Sequence, residues 1–412
     1  MGFGKEFSGF DRRVWTLFVT RTIDGAGFSF MYPFLAIYLH DKLHISMSAV
    51  GLILLVAAAA GAVGELIGGE IADALGRKRI MVVSIIARGL VFVAIGAYIS
   101  GQVDLVFLTL LVAVNFFLGS AFEPANNAMV ADVVEPGRRL KVYGLLRIGV
   151  NLGWIIGPMV GGVLASISYS WIFYCSAILC FAAGLILQIW IQESRPAPDA
   201  ENITGWKGSS AIFRHGSFMF FCSMCLLVFI MGGQMTSTFP VFSKDSAGLD
   251  EFSIGIIFGI TAVLVVLAQF PISHYIGRFK TSHMMAAGAL VYTLGFICIG
   301  FTRDFWLLTL AMCIVTVGEM IVMPASMNLV ASMSSESTRG RYMGVWGLFA
   351  GFGWSSAPFV GGVMVDVIRD QTLFWISVGI FGVLSAVGFM ALSRMLTSGI
   401  DGADTRKFQD KS

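Results

Sequence analysis

Twelve apolar runs of roughly twenty residues, separated by short polar breaks, fill most of the 412-residue chain. A run of that length matches the hydrocarbon thickness of a bilayer, and a backbone surrounded by lipid must satisfy its polar groups within the segment. Few folds survive that constraint. An all-α polytopic bundle is expected, with spans near 14–38, 46–70, 79–100, 104–130, 141–166, 171–192, 217–242, 252–273, 282–301, 305–330, 341–366 and 372–394. Composition agrees: 13% of residues are charged, against about 25% in an average soluble domain. The opening MGFGKEFSGFDRR is polar, so no cleavable signal is expected. Trp15, Trp171, Trp190, Trp306 and Trp375 fall at span ends, where indole rings favour the interface.

Placing the N-terminus inside puts 20 of the 27 Lys and Arg on cytoplasmic segments. Only Lys42, Lys244, Arg303 and Arg369 then lie outside, and three arginines fall within spans. This asymmetry obeys the positive-inside rule, so a multi-pass plasma-membrane protein with both termini cytoplasmic is expected. The longest break, 193–216, is rich in Pro, Ser and charge and reads as a cytoplasmic linker. It separates a six-helix half, 1–192, from a second, 217–412, that ends in a short tail. Cys222 and Cys225 form a CxxC inside a span with no His nearby, which reads as helix packing and not as a metal or redox site.

Residues 124–163 align without a gap to 324–363, with thirteen of forty positions identical. The matches include Pro124/Pro324, Gly153/Gly353, Trp154/Trp354, Pro158/Pro358, Gly161/Gly361 and Gly162/Gly362. Span pair 4–5 thus corresponds to pair 10–11. Six spans, an even number, separate the copies, so the repeat is parallel, as in transporters that bind substrate between two halves.

Seven charges lie deep in the spans: Arg21, Arg88, Arg147, Asp24, Glu65, Glu123 and Glu319. Each costs at least roughly 2.5–3.5 kcal/mol on insertion scales, so such residues line pathways or pair within the bundle. Residues equidistant from an inner loop share a height, which matches Glu65 with Arg88 and Glu123 with Arg147. Arg21 and Asp24 are i,i+3 neighbours. Glu319 is left over, at the repeat position of Gly119. A carboxylate without a basic partner in low dielectric holds its proton until a cation approaches, as an exchange site requires.

The break after span 2 reads Gly69-Glu70-Ile71-Ala72-Asp73-Ala74-Leu75-Gly76-Arg77-Lys78-Arg79. Its Gly, Asp, Gly and basic residues resemble the loop motif of the major facilitator superfamily. That resemblance implies that Asp73 caps the helix starting near Arg341, that Arg77 pairs with Asp132, and that this latch governs gating. The second-half copy is degenerate, with His274 in place of the acid. Span 5 carries Gly144, Gly153, Gly157, Pro158, Gly161 and Gly162, a spacing that resembles the antiporter motif of the superfamily's drug:proton exporters. Many of those exporters have an Arg midway along helix 4. Residues 111–119 have none, so coupling through that Arg is not carried over.

The resemblance implies two six-helix bundles, with helices 1, 4, 7 and 10 around a cavity. It points to a secondary active transporter that exports lipophilic or cationic small molecules by alternating access, driven by a proton gradient. The alternatives are export of a specific metabolite or sugar, and proton-coupled uptake. Glu319, Asp24, Glu123, Arg21, Arg147, Asn115 and Gln234 are the candidates for coupling and substrate contact, with Phe28, Tyr32, Phe116, Phe239, Trp346 and Trp354 as lining aromatics. The five histidines are scattered over loops and helix ends, so an enzyme is not expected. The expected partners are a small-molecule substrate, protons and the bilayer. No metal, cofactor or nucleic-acid partner is expected, and the monomer is the expected working unit.

Overall fold

A computed structural model describes residues 10–194, 210–334 and 338–396. The charges expected at Lys5, Arg195, Lys207, Arg406, Lys407 and Lys411 lie outside the described residues. Among those described, the chain forms twelve long helices and no strand. They are α1 Arg12–Ile37, α2 Met47–Leu75, α3 Arg77–Tyr98, α4 Leu105–Val133, α5 Pro136–Ile167 and α6 Tyr169–Trp190. Then follow α7 Gly216–Asp245, α8 Glu251–Ile276, α9 Thr281–Gly300, α10 Phe305–Ser332, α11 Arg339–Val367 and α12 Gln371–Met395. Each helix corresponds to one expected run, with ends that differ from it by up to five residues. The ends are set by side chains that close free backbone amides: Asp104, Asp304 and Asp370 cap α4, α10 and α12.

Eleven of the twelve are long and apolar enough to cross a membrane. The exception is α1, whose 26 residues have the length, but whose Arg21, Asp24 and neighbouring hydroxyl residues dilute its hydropathy. Trp15, Trp171, Trp190 and Trp306 are exposed, as interface residues should be, but Trp375 is not. It is fully buried, with its ring stacked 5.7 Å from that of Phe296. The expectation for Trp375 is corrected: a span end can also face its neighbours.

The helices divide into two compact units. Unit 1 is Met1–Tyr38, Ile53–Glu201 and Asp250–Ile256; unit 2 is Leu39–Leu52, Asn202–Leu249 and Ile257–Ser412. Within unit 1, α1 packs on α5 and α6, and α3 packs on α4 and α6. Within unit 2, α7 packs on α11 and α12, and α9 packs on α10 and α12. The two packing patterns correspond helix for helix six positions apart, so the internal repeat seen in 124–163 extends to α1, α3, α4, α5 and α6 and their counterparts α7, α9, α10, α11 and α12. Prolines recur inside corresponding helices, Pro124 with Pro324 and Pro158 with Pro358, and each lacks the N–H of one helical hydrogen bond. The helical course of α7 is interrupted between Gly233 and Thr238.

Candidate functional site

In unit 1 the buried charges form a continuous chain across three helices. Glu123 on α4 lies 2.6 Å from Arg21 on α1, and Arg21 lies 3.8 Å from Asp24 one turn along. Asp24 is bound in turn by Nη1 of Arg88 on α3. Nε of Arg88 donates to Oδ1 of Asn115 on α4 at 3.3 Å, and the Nδ2 of Asn115 is buried without a hydrogen-bond partner among the described residues. The guanidinium of Arg88 sits between the rings of Phe28 and Phe92, 5.4 Å from each centroid. Gly119 makes that position possible, because a Cβ there would fall 2.8 Å from Cζ of Arg88. Two arginines and two carboxylates balance, which is how a span tolerates them.

Two expected pairings are thereby revised. Arg88 joins Asp24 and not Glu65, and Glu65 is exposed on α2 with no ion pair among the described residues. Hairpin symmetry gives a height but not an azimuth; at about 100° per residue, a carboxylate at the right depth can point away from its partner. Glu123 pairs with Arg21, so the separate pairs expected from spacing become one network, while Arg147 lies exposed on α5.

Beside this network, Phe28 and Tyr32 of α1, Phe116 of α4 and Trp154 of α5 form an aromatic cluster. Phe28 lies 5.3 Å from both Tyr32 and Phe116 and 5.7 Å from Trp154, mostly edge to face. All four rings are partly exposed, so they present polarisable faces next to Arg88. Trp154 was missed by the sequence reading, although it is the repeat partner of Trp354 and was legible on that ground.

In unit 2 the corresponding region differs in chemistry. Glu319, on α10, is partly buried and has no ion-pair or hydrogen-bond partner among the described residues. On α9, the buried hydroxyl of Tyr292 is likewise without a hydrogen-bond partner among the described residues. At the repeat position in unit 1, Gly119 leaves room for the guanidinium of Arg88; in unit 2 the position itself carries the charge. Gln234 is consumed structurally: Nε2 donates to the carbonyl oxygens of Ile230 (3.0 Å) and Ala357 (2.8 Å), and Oε1 accepts from Thr238 at 2.6 Å. It bridges the break in α7 to α11, which removes it from the set of free substrate contacts.

The segment expected to be a loop, Gly69–Arg79, is instead the end of α2, Gly76 and the start of α3, tightly organised within unit 1. Buried Arg77 lies 3.1 Å from Asp132 and 3.0 Å from Asp73, while Asp73 itself is 68% exposed. Gly76 has φ +103°, and a Cβ there would meet the carboxylate of Glu193 at 2.6 Å. That carboxylate caps α3, accepting from the amides of Lys78 (2.9 Å) and Arg79 (3.2 Å), and Ser194 donates to Asp132 at 2.6 Å. Sequence reading missed Glu193 and Ser194; only their nearness to the end of span 6 could have pointed to them. In the second copy, His274 takes the acid's place, with its Nε2 3.1 Å from Arg278.

The glycines of α5 let backbones approach. Gly153, Gly157 and Gly161 lie against α1, and Pro158 lies on the same helix. Gly144 has nothing within 4 Å of its would-be Cβ, so it is not part of this contact. Gly162 instead faces the first turn of α8, near Glu251 and Gly255, and its repeat partner Gly362 faces the first turn of α2, at Met47 and Ser48.

This geometry can be set beside known proteins. Residues 17–280 and 245–401 match the Major Facilitator Superfamily. A Na(+), Li(+), K(+)/H(+) antiporter of Planococcus maritimus is 27% identical over 403 residues, covering 89% of this chain and 91% of its own. The multidrug resistance protein MdtH of Escherichia coli O157:H7 is 24% identical over 376 residues, covering 89% and 90%. Among solved structures, a bacterial homologue of the human lysosomal transporter Spinster aligns with TM-score 0.77 at 15% identity, over 94% of this chain and 97% of that one. Two matched six-helix bundles, a loop with the superfamily's acid and base in contact, and a family match that runs through both bundles agree: the chain belongs to the Major Facilitator Superfamily and is a membrane transporter.

Proposed function

We propose that this transporter exports lipophilic or cationic small molecules in exchange for protons, by alternating access, with Glu319 as the proton carrier. The observation that carries the reading is the contrast between the two units. In unit 1 the charges of Arg21, Arg88, Asp24 and Glu123 neutralise one another, whereas Glu319 has no basic partner among the described residues. A carboxylate in that setting binds either a proton or a cation, and mutual exclusion between the two is the elementary step of exchange. The partly exposed rings of Phe28, Tyr32, Phe116 and Trp154 supply apolar faces for a lipophilic body. The MdtH relative lends support for a drug-like substrate. The Planococcus maritimus relative favours a second reading, in which a monovalent alkali cation displaces the proton at the same carboxylate.

Everted membrane vesicles with a fluorescent pH probe separate these readings. Proton release on adding tetraphenylphosphonium supports the first, and release on adding K+ or Na+ supports the second. In either case Glu319→Gln is expected to abolish the release. A Glu319→Gln protein that exchanges protons like the unaltered one overturns the assignment of Glu319.

A further inference from the structure

The first turn of α2 is held within unit 2 by contacts that sequence reading did not single out. Asp366, near the end of α11, accepts from the amides of Met47 (3.2 Å) and Ser48 (2.8 Å), two of the donors that a helix start leaves unpaired. In the π-helical turn Tyr38–Lys42 that precedes α2, Asp41 lies 3.5 Å from Nζ of Lys244. His40, in the same turn, stands between two acceptors. Its Nδ1 is 2.7 Å from the carbonyl oxygen of Ile45, and its Nε2 is 3.0 Å from a carboxylate oxygen of Asp245. A neutral imidazole has one N–H and can satisfy only one of these; the imidazolium donates to both.

We propose that His40 is the proton-binding element of a latch that grips the first turn of α2 and loosens as pH rises. The charged groups around it are Asp245 and Lys244 from the end of α7, Asp366 from α11, and Asp41 and Lys42 from its own turn. Its hydrogen bond to Asp245 holds His40 above the ordinary imidazole value; the Ile45 carbonyl and Asp366 reinforce this, and burial opposes it. The sign follows. A group with a raised value contributes its full stabilisation below the ordinary value and loses it as pH rises through the raised one. The latch is therefore firm in acid and weak in alkali.

What the latch holds matters. α2 is one unbroken helix of 29 residues, about 44 Å long at 1.5 Å per residue, and its last turn carries Asp73, which pairs with Arg77 at the start of α3. A change of charge at His40 thus acts on the rod that carries the gating motif. This inference depends on neither the substrate nor the coupling ion, so it stands or falls apart from the function proposed above.

Hydrogen exchange on the full-length protein in lipid nanodiscs tests it, at about pH 5.5 and about pH 8.5, on either side of the imidazole range. After correction for intrinsic exchange, the amides of 39–52 are expected to lose protection severalfold at the higher pH, while the interior of α3 does not change. His40→Gln is expected to remove the pH dependence. Asp366→Asn is expected to lower protection at both pH values and keep the pH dependence. Wild-type protection that is independent of pH overturns the proposal, as does a His40→Gln protein that keeps the wild-type change. Undiminished protection in Asp366→Asn removes Asp366 from the latch.

Discussion

Arg88 is 4% exposed, sandwiched between Phe28 and Phe92, and bound to Asp24, so removing one member leaves the other only its longer contacts, Asp24 with Arg21 at 3.8 Å or Arg88 with Asn115 at 3.3 Å. Breaking a buried pair from one side typically costs about 3–5 kcal/mol, whereas removing both charges costs much less. Arg88→Gln is expected to lower the thermal midpoint of the purified protein clearly, and adding Asp24→Asn is expected to recover part of the loss. If the double variant is less stable than Arg88→Gln, the two do not form an energetic pair. That these residues are buried charges was legible in the sequence, because charge stands out against an apolar run. Which acid meets which base was not, since partner choice depends on helix rotation, and spacing along one strand of a hairpin carries no information about it.

At the scale of elements, the turn between α2 and α3 illustrates how several weak requirements converge on one residue. Gly76 must adopt φ +103° and also leave space for the carboxylate of Glu193, which caps α3. Gly76→Ala meets both obstacles, and a non-glycine residue forced into a sparsely populated backbone region costs on the order of 1–3 kcal/mol. The expected result is a lower thermal midpoint, with transport reduced more than in Glu193→Gln, which loses the cap but keeps the turn. Equal effects would show that the backbone angle contributes little. The helix limits themselves were legible to within a few residues from hydropathy, because a span must match the bilayer. The interruption of α7 was not anticipated: Gln234 reads as a polar candidate in sequence, and only its bonds to Ile230, Ala357 and Thr238 reveal that it repairs a broken helix.

At the scale of the whole molecule, the repeat is the strongest link between sequence and architecture. Forty aligned residues announced it, and the packing of α1, α3, α5 and α6 is reproduced by α7, α9, α11 and α12. The same symmetry exposes where the halves have diverged, as at Gly119 and Glu319. The distribution of Lys and Arg predicts the orientation of the whole chain, and labelling checks it. A cysteine at Gln102, between α3 and α4, is expected to react with a membrane-impermeant maleimide on intact cells, while one at Arg278, between α8 and α9, reacts only after permeabilisation. The reverse pattern would invert the topology. Each intramembrane charge disfavours insertion by roughly 2.5–3.5 kcal/mol at a helix centre, and α1 carries two, Arg21 and Asp24, whose partners Arg88 and Glu123 come from α3 and α4. During synthesis α1 emerges before the helices that carry Arg88 and Glu123, so until α3 and α4 follow, only the 3.8 Å Arg21–Asp24 contact within α1 offsets its two charges.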